Sequence, residues 1–309
     1  MKNIGMREMM KKTTAVLCCV ALAFGVAFAP AGVLESHAAA PATIKIPSAS
    51  GTVTYGNDKV KVDASNLSQG YVMIKYTGTN QKVKIQISKT GSETYTYNVT
   101  NRGNYETFPL SAGSGAYTVK VFENTSGTKY SQAWSGSVTA QFESDYLPFL
   151  YPNQYVNFSA SSATVSKGAE LCAGKTKAID KVTAVYTYVV TNFTYDKQKA
   201  ASVQSGYLPN VDTILSAKKG ICFDYAAVMA SMLRSQGVPT KLVVGYAGQA
   251  YHAWLNVYSA EEGWINKAIY FDGKTWKLMD PTFASSGKQS DSIMKYIGDG
   301  SHYTTKFVY

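Results

Sequence analysis

Three side chains able to carry out covalent acyl transfer together occur in order in the second half of this 309-residue chain. Cys222 lies in Gly220-Ile221-Cys222-Phe223-Asp224-Tyr225-Ala226, His252 in Tyr251-His252-Ala253-Trp254, and Asp280 in Leu278-Met279-Asp280-Pro281-Thr282. A thiol is a strong nucleophile only as thiolate. An imidazole can take its proton, and a carboxylate can orient and stabilise the imidazolium that results. Of the three histidines, His37 sits in an N-terminal leader and His302 in the polar stretch Gly298-Asp299-Gly300-Ser301-His302, which leaves His252 as the candidate base.

The elements around these residues can place them. Phe223, Ala226, Ala227, Ala230 and Leu233 follow helical spacing from Cys222 onward, and Gly237 and Pro239 stop it. The thiol then falls in a helix's first turn, where unpaired N–H groups and the positive dipole end favour a thiolate. Such a position with a histidine partner lowers a cysteine pKa from about 8.5 to between about 3.5 and 7.5. The same backbone donors can stabilise an oxyanion. Gly220 either lets a substrate approach the backbone or is an ordinary turn glycine. His252 belongs to a strand-like stretch in which Tyr251, Ala253, Leu255 and Val257 share one face, and the histidine shares the other with Trp254, Asn256 and Tyr258. Trp264–Phe271 and Thr275–Asp280 read as two strands of a hairpin turning at Asp272-Gly273-Lys274. Asp280 ends the second strand before Pro281. It can accept a hydrogen bond from one imidazole nitrogen and leave the other facing sulfur, although an aspartate before proline is also a common turn residue. A further amphipathic helix is predicted from Ala178, Val182, Val185, Val189 and Phe193.

The three blocks, in this order, resemble the transglutaminase-like superfamily, over roughly residues 169–309. The resemblance implies a papain-like α+β core and thiol acyl chemistry, with Cys222 as nucleophile, His252 as general base and acid, and Asp280 as orienting carboxylate. It leaves the acceptor open, because the family includes amine-transferring crosslinkers, hydrolases of peptide or amide bonds, and domains without catalysis. The acidic metal loops of the calcium-dependent members have no counterpart in this sequence, so no metal and no cofactor is expected. Asp224 is expected to cap or pair within the helix's first turn, and Tyr225 and Trp254 to wall the cleft. A side-chain oxyanion donor is not assigned by the pattern, although Tyr207 and Gln204 are candidates.

Residues 1–40 read as a secretory signal peptide. Lys2, Arg7, Lys11 and Lys12 precede an apolar run from Thr13 to Pro30, and Ser36-His37-Ala38-Ala39-Ala40 supplies the small-residue exit. Cys18 and Cys19 leave with it. The remaining chain carries 26 basic and 18 acidic side chains, a net +8. That balance suits an anionic cell-wall surface. Secretion makes nucleic acid an unexpected partner, and a monomer acting on a protein or peptide substrate is expected. No segment after residue 40 reads as a transmembrane helix.

Residues 41–145 carry short alternating runs, such as Val83, Ile85 and Ile87 between Lys84, Gln86 and Ser88, separated by Gly, Asn and Ser clusters. They predict an all-β, immunoglobulin-like sandwich. Its tyrosines, with Trp134, are either strand-favoured core residues or a surface for sugars or peptides. Residues 146–168 form a linker, the apolar Leu147–Pro152 docked and Ser159–Thr164 a flexible tether. The architecture is therefore multidomain: a β-sandwich followed by an α+β transglutaminase-like domain at 169–309. Two cysteines remain after the leader, and a Cys172–Cys222 disulfide would abolish the chemistry. It would not explain the histidine and aspartate blocks. The alternative function is a non-enzymatic surface adhesion protein whose triad is residual.

Overall fold

A computed structural model describes residues 44–266, 269–271, 276–278 and 303–309. All of them fall in one compact unit, Ala38–Tyr309. The leader and Asp280 lie outside the described residues, and among those described no helix is long and apolar enough to cross a membrane.

The N-terminal region is β-rich. Strands β1 (Thr54–Gly56), β2 (Val60–Asp63), β3 (Tyr71–Tyr76), β4 (Val83–Lys89), β5 (Tyr95–Asn98), β6 (Tyr105–Pro109), β7 (Gly115–Ser126) and β8 (Lys129–Ala140) form two antiparallel four-stranded sheets. Their orders are β1-β2-β3-β6 and β5-β4-β7-β8. Alternation drives the burial: Val83, Ile85 and Ile87 are buried while their neighbours Lys84 and Gln86 are half-buried. Tyr71, Tyr76, Tyr97 and Tyr117 are also buried, so these tyrosines are packing residues. The Tyr117 hydroxyl turns back to the carbonyl oxygens of Leu110 and Gly113, 3.1 and 2.6 Å away.

Beyond residue 146 the content is mixed α/β. Helices α1 (Ala163–Cys172) and α2 (Ala178–Asn192) precede β9 (Thr194–Tyr195), α3 (Lys197–Ser202), α4 (Val211–Ala217), β10 (Lys219–Gly220) and α5 (Cys222–Ser235). The strands β11 (Thr240–Ala247), β12 (Ala250–Ser259), β13 (Gly263–Ile265), β14 (Ile269–Phe271), β15 (Trp276–Leu278) and β16 (Tyr303–Val308) follow. The sheet order β13-β12-β11-β16 puts β11 and β12 at the centre, and α5 packs against both. Strands β14 and β15 pair antiparallel, Ile269 opposite Leu278, as the hairpin reading required; the single expected strand Trp264–Phe271 divides into β13 and β14.

Two features differ from the sequence reading. The stretch expected to be a flexible tether runs into α1, because Thr164 is wholly buried, with its N–H and hydroxyl on Asp212 and its hydroxyl also accepting from Ser231. The polar C-terminal tail gives way at Tyr303 to strand β16, which pairs with β11. One hydrophobic core runs from Val60 through Phe158 to Tyr309. Aromatic rings carry this continuity. Tyr97 packs edge-on to Tyr309, and Tyr309 stacks on Tyr155 at 3.9 Å. Tyr155 in turn meets Phe223, next to Cys222, at 5.6 Å. Arg234, 1% exposed on α5, bonds the carbonyl oxygens of Tyr151, Thr240 and Tyr309 at 2.7 to 2.9 Å, tying strap, helix and C-terminal strand together. Burial lowers its pKa to about 9.

Candidate active site

Cys222 is the first residue of α5, preceded by Ile221 in extended conformation, and its thiol is free and partly exposed. Cys172, at the end of α1, is also a free thiol, buried, and its burial raises its pKa. No disulfide therefore joins the two. They differ in the way a reactive and an inert cysteine differ: one is accessible at a helix N-terminus, the other is packed like a small hydrophobe.

The first turn of α5 is held by Asp224, which is fully buried. Its carboxylate accepts the Ile221 N–H at 2.9 Å, the Lys199 ammonium at 2.6 Å and the Tyr207 hydroxyl at 2.6 Å. Lys199 comes from α3 and also donates to the Tyr207 oxygen at 2.6 Å. This is the local capping and pairing expected of Asp224, with two partners that sequence spacing did not reveal. Burial, and next the bond to Asp224, raise the Tyr207 pKa. With its proton committed to Asp224, Tyr207 braces the helix start and is not poised as an oxyanion donor. Gln204 is exposed and donates to Ser202. Gly220 has a definite reason to be glycine: a Cβ there would lie 2.6 Å from the Asp224 Cβ. The missing side chain makes room for the folded-back carboxylate, a role neither sequence reading of Gly220 contained.

His252 lies on β12 opposite Gly245 of β11 and is 7% exposed. Its ring stacks on Trp254 at 6.4 Å with 20° between planes, and Tyr303 of β16 lies 6.2 Å away. Trp254 and Tyr303 meet edge-on at 5.2 Å. Trp254 and Tyr225 are both wholly buried, which corrects their expected place on the cleft wall: Trp254 backs the histidine, and Tyr225 packs on Phe193. Gly245 admits the Trp254 ring, because a Cβ there would sit 2.0 Å from the Thr304 carbonyl oxygen and 2.9 Å from the indole. A glycine inside a strand pattern is the sequence signal that could have flagged this close approach.

Helix α5, which begins at Cys222, packs on β12, the strand that carries His252. The pKa of Tyr251, adjacent to His252, is raised first by burial, then by Tyr246 and Cys222. Tyr251 is 60% exposed, so this end of β12 opens to solvent. A separate cavity of about 760 Å³ opens between α1 and α2, lined by Leu171, Lys175, Asp180, Thr187 and Tyr188. Its lining holds no cysteine and no histidine.

Residues 166–281 match the model of the Transglutaminase-like superfamily, so the chain contains a transglutaminase-like domain, reaching from α1 past all three candidate residues. Two curated relatives share part of it. The uncharacterized protein YebA of Bacillus subtilis is 31% identical over 106 residues, 28% of this chain and 14% of that protein. A protein-glutamine gamma-glutamyltransferase of Pseudomonas aeruginosa is 30% identical over 69 residues, 18% and 10% of the respective lengths. The matched stretch is thus a small part of either relative. Among solved structures, a candidate cysteine protease of Cytophaga hutchinsonii covers 83% of both chains at 16% identity and a TM-score of 0.40. Red sea bream transglutaminase covers 69% of this chain and 48% of its own at 12% identity and 0.26.

Proposed function

We propose that this protein is a secreted cysteine acyl-transfer enzyme that acts on amide bonds, of a glutamine side chain or a peptide, through Cys222, His252 and Asp280. The observation that carries the reading is a free, partly exposed cysteine at the first residue of α5, a helix that packs on the strand bearing His252. His252 takes the thiol proton and Sγ adds to the amide carbonyl carbon. The oxyanion is held by backbone N–H groups of the helix's first turn. The C–N bond then breaks as His252 returns the proton to the departing amine or ammonia, leaving a thioester. Water or a substrate amine attacks the thioester carbonyl, gives its proton to His252, and Sγ leaves. Asp280 fixes the imidazole tautomer throughout.

The N-terminal region is read as an immunoglobulin-like sandwich. Two antiparallel sheets, with β4 exchanging neighbours to sit between β5 and β7, support this, as does the Tyr117 hydroxyl bonding back to its own corner. The basic balance and the leader support action outside the cell at an anionic wall surface. The test is incubation with a glutamine-containing protein and a fluorescent primary amine, with ammonia release and peptide cleavage followed in parallel. At least one product should form and should vanish in Cys222→Ala. No product from any of the three reactions would contradict the reading.

A further inference from the structure

Most of the tyrosines of the N-terminal region are absorbed into packing, but Tyr55 and Trp134 are not. Tyr55, on β1, is 43% exposed, and Trp134, on β8, packs on the core while remaining half-exposed. These strands are the edges of different sheets and lie side by side. Between them runs a groove of about 540 Å³, lined by the two aromatic side chains together with Thr54, Lys61, Ser135 and Gly136.

Several independent details build this groove. The register of β8 against β7 shifts where Val121 faces Trp134 and Phe122 faces Gln132, so Ala133 is an extra, bulged residue. Bulges re-aim the neighbouring side chain. The Asn57 amide, from the β1–β2 turn, donates to the Ala133 carbonyl oxygen at 3.0 Å and clamps the two edges together. The re-aimed indole lies across Gly136, where a Cβ would stand 2.5 Å from the ring. Trp134 is thus a rigid, supported platform with Tyr55 as a second aromatic surface nearby.

The lining selects a ligand class. It contains two aromatic faces, two hydroxyls, an ammonium and two glycines, and no aliphatic side chain. An aromatic face carries negative quadrupole potential and attracts polarised C–H bonds. A pyranose ring presents a face of such C–H bonds and a rim of hydroxyls that Thr54, Ser135 and Lys61 can bond. A hydrophobic peptide would find no aliphatic pocket here. We infer that the β1–β8 groove is a glycan-binding site in which Trp134 and Tyr55 stack on successive pyranose rings of a polysaccharide chain. This site is independent of the cysteine chemistry.

The test is co-sedimentation of the full chain with insoluble chitin, cellulose and purified peptidoglycan, which separates the sources of a pyranose chain. Wild type should be retained on at least one of them, with retention at least tenfold lower in Trp134→Ala and in Tyr55→Ala and partly recovered in Trp134→Phe. Thermal unfolding and Cys222 alkylation should match wild type in the tyrosine variant, which touches only the surface. Absence of retention on all three would overturn the inference. So would retention that Tyr55→Ala and Trp134→Ala leave unchanged, or retention that only peptidoglycan stripped of its glycan strands supports.

Discussion

Replacing Asp224 by alanine should loosen the element that carries the nucleophile, and the cost follows from its three donors. The Ile221 N–H loses a cap-type bond, a loss of about 1 kcal/mol. The Tyr207 hydroxyl, partly buried, loses its acceptor, about another 1 kcal/mol. Lys199 loses its counter-ion. Breaking a fully buried pair costs about 3–5 kcal/mol, but the Lys199 side chain is 27% exposed and can reach water, so about 1–2 kcal/mol is the appropriate share. Asp224→Ala should therefore destabilise by about 3–4 kcal/mol, lowering Tm by about 6–8 °C at this chain size. Lys199→Met leaves the fully buried carboxylate two neutral donors but no counter-ion and should also destabilise. The double variant should fall short of the two single losses together by about 1–2 kcal/mol, measured by urea unfolding in a double-mutant cycle. A loss under about 1 kcal/mol in Asp224→Ala, or strict additivity, would refute the bracing role.

Two further perturbations probe the sheet. Lys241 lies 3.6 Å over the Trp264 ring and 4.9 Å from Phe149, and burial lowers its pKa to about 8, with Asp145 acting the other way. The unfolded chain then binds more protons between about pH 8 and 10.5, so stability rises with pH across that window. Lys241→Met should remove this rise and gain at pH 7 in urea unfolding, the gain reduced by the lost cation–π contact; parallel pH profiles in the two proteins would contradict this. Gly245→Ala forces a Cβ against the Thr304 carbonyl and the Trp254 ring and should cost about 1–3 kcal/mol with altered near-UV circular dichroism, whereas an unchanged spectrum and stability would contradict the close approach.

The transglutaminase-like domain was legible because its blocks are residue types in a fixed order, and the helix start at Cys222 because spacing and Gly220 mark it. The hairpin of β14 and β15 was legible from Asp272-Gly273-Lys274. What escaped was set by partners remote in sequence. Arg234 looks like a surface residue of an amphipathic helix until the carbonyls of Tyr151 and Tyr309 arrive from 83 and 75 residues away. Helix α1 begins among serines because Asp212 and Ser231 meet Thr164 across 48 and 67 residues. Strand β6 carries no local strand signature, because its five residues end in Pro109 and bury Glu106, whose carboxylate is held by Thr100, Asn101 and Gln154. No local pattern announces Lys199 as the partner of Asp224. Asp280 rests on sequence alone.

The central claim, a thiolate at Cys222 maintained by His252, is tested most directly by the pH dependence of iodoacetamide labelling, read by mass spectrometry in wild type and His252→Ala. Cys172 is the internal control, since it is buried and its thiol pKa is raised. The account predicts that Cys222 labels down to about pH 6, that this low-pH reactivity collapses in His252→Ala, and that Cys172 stays slow throughout. Labelling of Cys222 that falls away below about pH 8.5 like an ordinary thiol, with or without His252, would contradict it.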